Sequence, residues 1–249
     1  TSLQGHEVEV WADGRPQSTA DRLALVEGAD ALLTLVSHPV DAALLDASGA
    51  QLKVVANVGV GFNNIDLAAC AARGVIATNT PDVLTDATAD TALALVLEVT
   101  RRFGEGQRIV RDQRPWAFGL FGMLGVGLAG KCAGIIGPGS IGIATARRLR
   151  ALGMEIAYAG RSPMRPAAAE ELGAERVELD ELLASADVVS LHVPYTSQTH
   201  HLIGAAQLAA MKPTAFLINT ARGAVVDEAA LVEALRAGQV AGAGLDVYE

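Results

Sequence analysis

The sequence predicts an α/β protein of two lobes, each a parallel sheet with helices on its faces. Three observations carry this. A short apolar run over 133–136 passes through Gly137-Pro138-Gly139-Ser140-Ile141-Gly142 into an Ala-rich helical pattern without a gap. Short apolar runs alternate with helical patterns both before and after that point, which is the signature of βαβ units. Half of the 249 residues are apolar (51%) while aromatics make up 4%. That balance suits short buried strands covered by Ala-rich helices.

In the first lobe, 1–79, Val8-Glu9-Val10-Trp11 reads as a strand and Ser18 or Thr19 as the cap of a helix over 20–27. A strand over 31–36, a helix over 41–47 and a strand over 52–56 follow. A Gly-rich loop over 57–64, a helix over 66–73 and a strand over 75–77 complete it. A flavodoxin-like sheet has the strand order 2-1-3-4-5, with its first strand central. If Val8-Glu9-Val10-Trp11 is the second strand, the central one is absent and this lobe is incomplete. The chain starts at Thr1 without an initiator Met and stops after a strand-like segment, so both ends read as cut.

Thr80-Pro81-Asp82 is a turn and the expected boundary, which makes 80–249 the second domain. Helices over 83–100 and 105–111 open it, with Leu93, Val96, Leu97 and Thr100 at helical spacing. A loop over 114–131 follows. Strands over 133–137, 154–159, 187–193, 214–219 and 241–247 then alternate with helices over 140–152, 166–172, 178–184, 205–210 and 227–236. This is the pattern of a Rossmann-type doubly wound sheet.

The composition also excludes. A net charge of −9 argues against nucleic acid and anionic membrane surfaces. No apolar run reaches membrane-spanning length and no signal peptide opens the chain. Cys70 and Cys132 have no metal-ligand spacing, so no metal is expected and both read as reduced core residues of a cytoplasmic protein.

The glycine turn carries the chemistry. Gly137, Gly139 and Gly142 fit a G-x-G-x-x-G dinucleotide fingerprint, in which glycines permit a tight turn and close approach of a pyrophosphate to backbone. The helix tip behind them offers unpaired N–H groups and a partial positive charge. About 20 residues on, an NAD site carries an acidic residue for the ribose 2′-OH. Here the second strand ends in Gly160-Arg161-Ser162. Arg161 offers a planar fork for phosphate oxygens and Ser162 a hydroxyl. NADP(H) is therefore preferred, with NAD(H) possible.

Six segments together resemble the D-isomer-specific 2-hydroxyacid dehydrogenase family. They are the run from Val54 to Asp66 around Val58-Gly59-Val60-Gly61, the run from Asn79 to Asp90, the fingerprint, Leu191-His192-Val193-Pro194, Asn219-Thr220-Ala221-Arg222-Gly223, and Ala243-Gly244-Leu245-Asp246-Val247-Tyr248-Glu249. The Val83–Asp90 run with Arg161-Ser162 is most similar to the glyoxylate/hydroxypyruvate reductase branch. The resemblance implies hydride transfer between a nicotinamide and a small 2-oxoacid or 2-hydroxyacid, in a homodimer. It gives Arg222 the catalytic position, gripping carboxylate and carbonyl, with the Val60 and Gly61 N–H groups also on the substrate. It places Gly137, Gly139, Ser140, Ile141 and Gly142 at the diphosphate and Arg161 and Ser162 at the 2′-phosphate. His192, Val193 and Pro194 fall near the ribose, Thr220 and Ala221 near the nicotinamide, and Asp246 by its carboxamide, unless Asp246 only caps a turn. Thr88 is a further cofactor contact. The family's proton donor, a His held by a Glu, is expected beyond residue 249, since His192, His200 and His201 sit in the wrong segments. Pro138, Ile143 and Asn63 depart from the family's usual residues. Two alternatives stay open: another D-2-hydroxyacid dehydrogenase, such as a phosphoglycerate type, and a non-catalytic dinucleotide-sensing scaffold of corepressor type.

Overall fold

A computed structural model describes residues 4–11, 17–117 and 119–249. The chain forms two compact units, Thr1–Pro81 and Asp82–Glu249.

In the first unit, the helices Thr19–Leu25 (α1), Ala42–Ser48 (α2) and Leu67–Ala72 (α3) alternate with the strands Ala31–Leu35 (β1), Val54–Val58 (β2) and Ile76–Thr78 (β3). Short acidic and hydroxyl side chains start the helices. Ser18 and Asp21 close a capping box on α1, Asp41 accepts from the Leu44 N–H, and Asp66 accepts from the Ala69 N–H. The strands are parallel in the order β1-β2-β3, with Ala31 beside Val54 and Val54 beside Ile76. Neighbours in chain order are what the last three strands of a 2-1-3-4-5 sheet would show. Alternation decides the faces: Leu32 and Thr34 point inward with Val55, while Leu33 and Leu35 remain exposed. The core is Val26, Leu44, Leu45, Val55, Ile65, Cys70 and their neighbours. Residues 8–11, expected as a strand, form none: neither β1 nor β3 pairs with them, and Val8 and Val10 are 52% and 72% exposed. A strand exists through its ladder, and apolar alternation alone supplies no partner.

The second unit begins with the helices Thr85–Arg101 (α4) and Phe103–Arg111 (α5), separated by Arg102 in the left-handed region at φ 58°. The strands Cys132–Ile136 (β4), Glu155–Ala159 (β5), Glu175–Arg176 (β6), Val188–Leu191 (β7), Phe216–Asn219 (β8) and Gly242–Leu245 (β9) follow. Between them lie Ser140–Ala151 (α6), Pro166–Leu172 (α7), Leu179–Ser185 (α8), Ala205–Ala210 (α9) and Glu228–Arg236 (α10). All six strands are parallel in the order β6-β5-β4-β7-β8-β9, so the order reverses between β4 and β7. Both faces are packed. Val188, Ile218, Ile135 and Ile156 face α4 and α6, while Val189, Leu191 and Leu217 face α8, α9 and α10. Double burial is why these strands read as continuous apolar runs rather than alternating ones. The helix α4 packs along α6, where Arg148 bonds Asp90 at 2.6 Å and Asp86 at 3.1 Å. The edge strand β6 and a 3₁₀ turn, Gly223–Val225, have no counterpart in the sequence reading. No helix among the described residues is long and apolar enough to cross a membrane.

Candidate active site

The sequence-selected residues of the second unit gather along one edge of its sheet, the carboxyl ends of the strands. Gly137 to Gly142 follow β4, Arg161 and Ser162 follow β5, and His192 to Pro194 follow β7. Thr220 to Arg222 follow β8 and Asp246 follows β9. In an open parallel sheet this edge, at the point where strand order reverses, is where ligands sit. Thr88 lies in the first turns of α4.

The fingerprint is built for an anion. Gly137 has φ 95°, and a Cβ there would lie 2.7 Å from the His192 carbonyl oxygen. The β4 and β7 loops meet at that spot, where the His192 N–H donates to the Ile136 carbonyl at 2.8 Å. A Cβ on Gly142 would lie 2.3 Å from the Gly137 carbonyl oxygen, so the first turn of α6 can seat only glycine. Gly139 caps α6 without a side-chain hydrogen bond. The helix therefore presents its tip uncapped and polarised toward solvent, with Gly139 and Ser140 exposed. Pro138 packs against Gly160, where an added Cβ would meet its Cδ at 2.6 Å.

Arg161 and Ser162 are exposed two and three residues beyond β5, with no carboxylate in the 160–166 segment. The Arg161 Nη1 donates to Gln198 Oε1 at 3.2 Å, and the Arg176 Nη2 donates to the Gly160 carbonyl at 3.1 Å. His192 bonds Ser190 Oγ through Nε2 at 2.9 Å, and burial pushes its pKa down from 6.5 to about 4. Its ring is thus neutral at pH 7.

Arg222 stands three residues beyond β8, partly buried, with Nη1 donating to the Ala221 carbonyl at 2.7 Å. Burial pulls its pKa below the ordinary value, yet a guanidinium stays charged at neutral pH. Its backbone is set by Asn219, which the sequence reading gave no role. Asn219 is 1% exposed, accepts from the Ala221 N–H at 3.0 Å and donates to the Arg222 carbonyl at 2.9 Å. Directly behind, Tyr248 crosses Gly223 so closely that a Cβ would lie 2.0 Å from its carbonyl carbon. The buried Thr220 Oγ1 has no hydrogen-bond partner among the described residues. An uncapped helix tip, a cradle that only glycine fits and an orphaned hydroxyl on the same sheet edge fit a bound dinucleotide. Asp246 is exposed, its N–H donating to the Asn219 carbonyl at 3.0 Å.

In the first unit, the loop after β2 holds Val60 and Gly61. The Asn79 side chain donates to the Val60 carbonyl and the Asn57 side chain to the Gly61 carbonyl, both at 2.9 Å. Asn57 is itself fixed by Thr34 and Asn64. The Gly59 carbonyl accepts from the Thr80 N–H at 3.0 Å, and with the Val60 carbonyl also held, the trans peptides turn the Val60 and Gly61 N–H groups to the opposite side. Asn57 and Asn79 were not singled out from the sequence, where an amide near a Gly-rich loop has no distinguishing mark.

Burial pushes both thiols, Cys70 and Cys132, up, which makes them unreactive. His200, His201 and Glu249 bring potential ligand atoms within 4.8 Å of one another. The two imidazoles stack at 3.9 Å and 22°, and His201 Nε2 bonds Glu249 Oε2 at 2.9 Å.

Comparison with known proteins agrees with this geometry. Residues 93–249 match the profile of the family described as D-isomer specific 2-hydroxyacid dehydrogenase, NAD binding domain. A glyoxylate reductase of Thermococcus litoralis is 48% identical over 249 residues, covering 98% of this chain and 74% of the relative. Among solved structures, the TT0316 protein from Thermus thermophilus superposes with a TM-score of 0.87 at 46% identity, over 94% of this chain and 73% of that one. A D-lactate dehydrogenase from Aquifex aeolicus, complexed with NAD and lactic acid, gives 0.84 at 32% identity, over 96% and 68%. With sheet order, glycine turn and sequence kinship in agreement, the chain belongs to the D-isomer-specific 2-hydroxyacid dehydrogenases, a family of NAD(P)-dependent oxidoreductases.

Proposed function

We propose that the protein reduces a small 2-oxoacid of the glyoxylate or hydroxypyruvate type to the D-2-hydroxyacid, with NADPH as the preferred coenzyme. When bound, the reduced nicotinamide supplies the hydride. Arg222 grips the substrate carboxylate and polarises its carbonyl, because a guanidinium fork can donate to both and favours the negative charge that develops on oxygen. The Val60 and Gly61 N–H groups are further donors for the carboxylate. Gly137, Gly139, Ser140, Ile141 and Gly142 receive the diphosphate, and Arg161 and Ser162 the 2′-phosphate. His192, Val193, Pro194 and Thr88 lie along the coenzyme, Thr220 and Ala221 at the nicotinamide, and Asp246 at its carboxamide. His192 is not the proton donor in this reading, since its ring is already neutral at pH 7 and engaged by Ser190. The observation that carries the proposal is Arg222, held by Asn219 on the same strand-end edge as the uncapped tip of α6.

A homodimer in the cytoplasm completes the reading, supported by exposed apolar side chains after α4 and by two unpaired thiols. Steady-state kinetics of the full-length enzyme with glyoxylate, hydroxypyruvate, pyruvate and a phosphorylated 2-oxoacid, each with NADPH and NADH, test the whole. We expect the first two substrates and NADPH to lead. Faster turnover with NADH overturns the coenzyme preference. Dinucleotide binding without turnover of any 2-oxoacid would favour the scaffold alternative.

A further inference from the structure

We infer that Gln198 is a positioning residue that prepares Arg161 for the coenzyme's 2′-phosphate, an inference that rests on the NADPH reading. Arg161 is exposed on a loop, and a free arginine side chain loses rotamer entropy when it is fixed. A partner that holds the guanidinium beforehand removes part of that cost from binding. Gln198 Oε1 is such a partner, accepting from Arg161 Nη1 at 3.2 Å.

The two residues come from different crossovers. Arg161 follows β5 and Gln198 lies in the loop after β7, and in the strand order β5-β4-β7 their contact spans the carboxyl end of β4, where the glycine turn begins. Both supports are themselves fixed. In the β7 loop, the Gln198 N–H donates to Thr196 Oγ1 at 3.3 Å and the Thr196 N–H donates to Thr199 Oγ1 at 2.8 Å. Thr199 Oγ1 in turn donates to the Pro194 carbonyl at 2.7 Å, and the His201 N–H ties the loop's end to the Ala224 carbonyl at 2.8 Å. On the other side, Arg176 holds the Gly160 carbonyl just before Arg161.

The identity of the holding group matters. A carboxylate at 198 would also grip Arg161, but it would neutralise the guanidinium and repel a phosphate. A neutral amide oxygen engages one N–H and leaves the charge and the remaining donors of the fork for the ligand.

The test uses the full-length enzyme with Gln198→Ala and Gln198→Leu, both changes at an exposed loop side chain. Calorimetric affinity is measured for 2′,5′-ADP and for ADP, which lacks the 2′-phosphate, together with KM for NADPH and NADH. We expect affinity for 2′,5′-ADP to fall about 3- to 10-fold, the range of one hydrogen bond, and affinity for ADP by less than about 2-fold. KM should rise for NADPH and not for NADH. Equal losses for both nucleotides, or no loss, overturn the role of Gln198. Arg161→Ala, run in parallel, separates the two levels. If it leaves 2′,5′-ADP binding intact, the NADPH reading itself fails; if it weakens binding while the Gln198 variants do not, only the inference about Gln198 falls.

Discussion

The role proposed for Arg222 rests on a single guanidinium, whose backbone Asn219 holds. Arg222→Ala in the full-length enzyme should lower kcat about 100- to 1,000-fold, the usual cost of removing a donor aimed at a developing oxyanion. A loss below about 3-fold would take Arg222 out of the mechanism. Asn219→Ala strips partners from the Ala221 N–H and the Arg222 carbonyl, which should cost roughly 1–3 kcal/mol of stability in a melting experiment and also lower kcat. His192 sets a pH dependence of stability. Its folded pKa of about 4 lies below its ordinary 6.5. Between those values the unfolded chain binds more protons than the folded one, so stability falls as pH drops from about 6.5 toward 4, by up to about 3 kcal/mol. His192→Gln should flatten that part of a melting-temperature profile, and an unchanged slope would assign it to other groups. The strand-end positions of Arg222 and Arg161 were legible in the sequence, because each follows an apolar run beside small residues, while the role of Arg222 came from the family resemblance. Asn219 and Gln198 were not, because their roles depend on burial and on a contact between two crossovers.

The turn between β4 and α6 is the element on which the proposed coenzyme binding depends, and two of its glycines should fail differently. Gly142 seats the first helical turn against the Gly137 carbonyl, so Gly142→Ala must displace α6 from the sheet and should lower stability as well as dinucleotide affinity. Gly139 has φ −77°, and a Cβ there meets nothing within 4 Å. Gly139→Ala should therefore cost only what a poorer helix cap costs, a few °C at most, while weakening dinucleotide binding at least several-fold, because the open space is the one proposed for the coenzyme. Unchanged dinucleotide affinity in Gly139→Ala would show that this space is not a binding surface. Calorimetry and thermal melts on both variants make the comparison. This element was readable in advance because strand, glycines and helix follow within about 20 residues and each enforces the next. Elements that depend on distant partners were less so. The strand β6 is two exposed polar residues that become a strand only by pairing with β5, and residues 8–11 have strand-like alternation but pair with neither β1 nor β3. The break between α4 and α5 was expected between 100 and 105 and falls at Arg102, although no local pattern announces the left-handed backbone that makes it.

For the whole molecule, the surface around α5 is the feature a lone chain does not account for. The helix α5 has no buried residue, and a nine-residue helix is marginal in water without a packing partner. Phe103, Val110, Trp116, Leu120, Phe121 and Leu124, on this helix and the segment after it, are between 51% and 80% exposed. Scattered apolar residues are ordinary on a surface, but six large ones within 22 residues make a face suited to an interface. A second copy of the chain is the proposed occupant. Sedimentation of the full-length protein should then show a dimer, and Leu120→Glu with Phe121→Glu should shift it toward monomer, because each carboxylate would have to be buried unpaired. An interface of this composition should also hold when salt is raised from about 0.05 to 0.5 M, since screening weakens exposed ion pairs and leaves apolar burial intact. A protein that is monomeric before substitution, or one whose dimer dissociates with salt and ignores both glutamates, would remove this surface from the assembly.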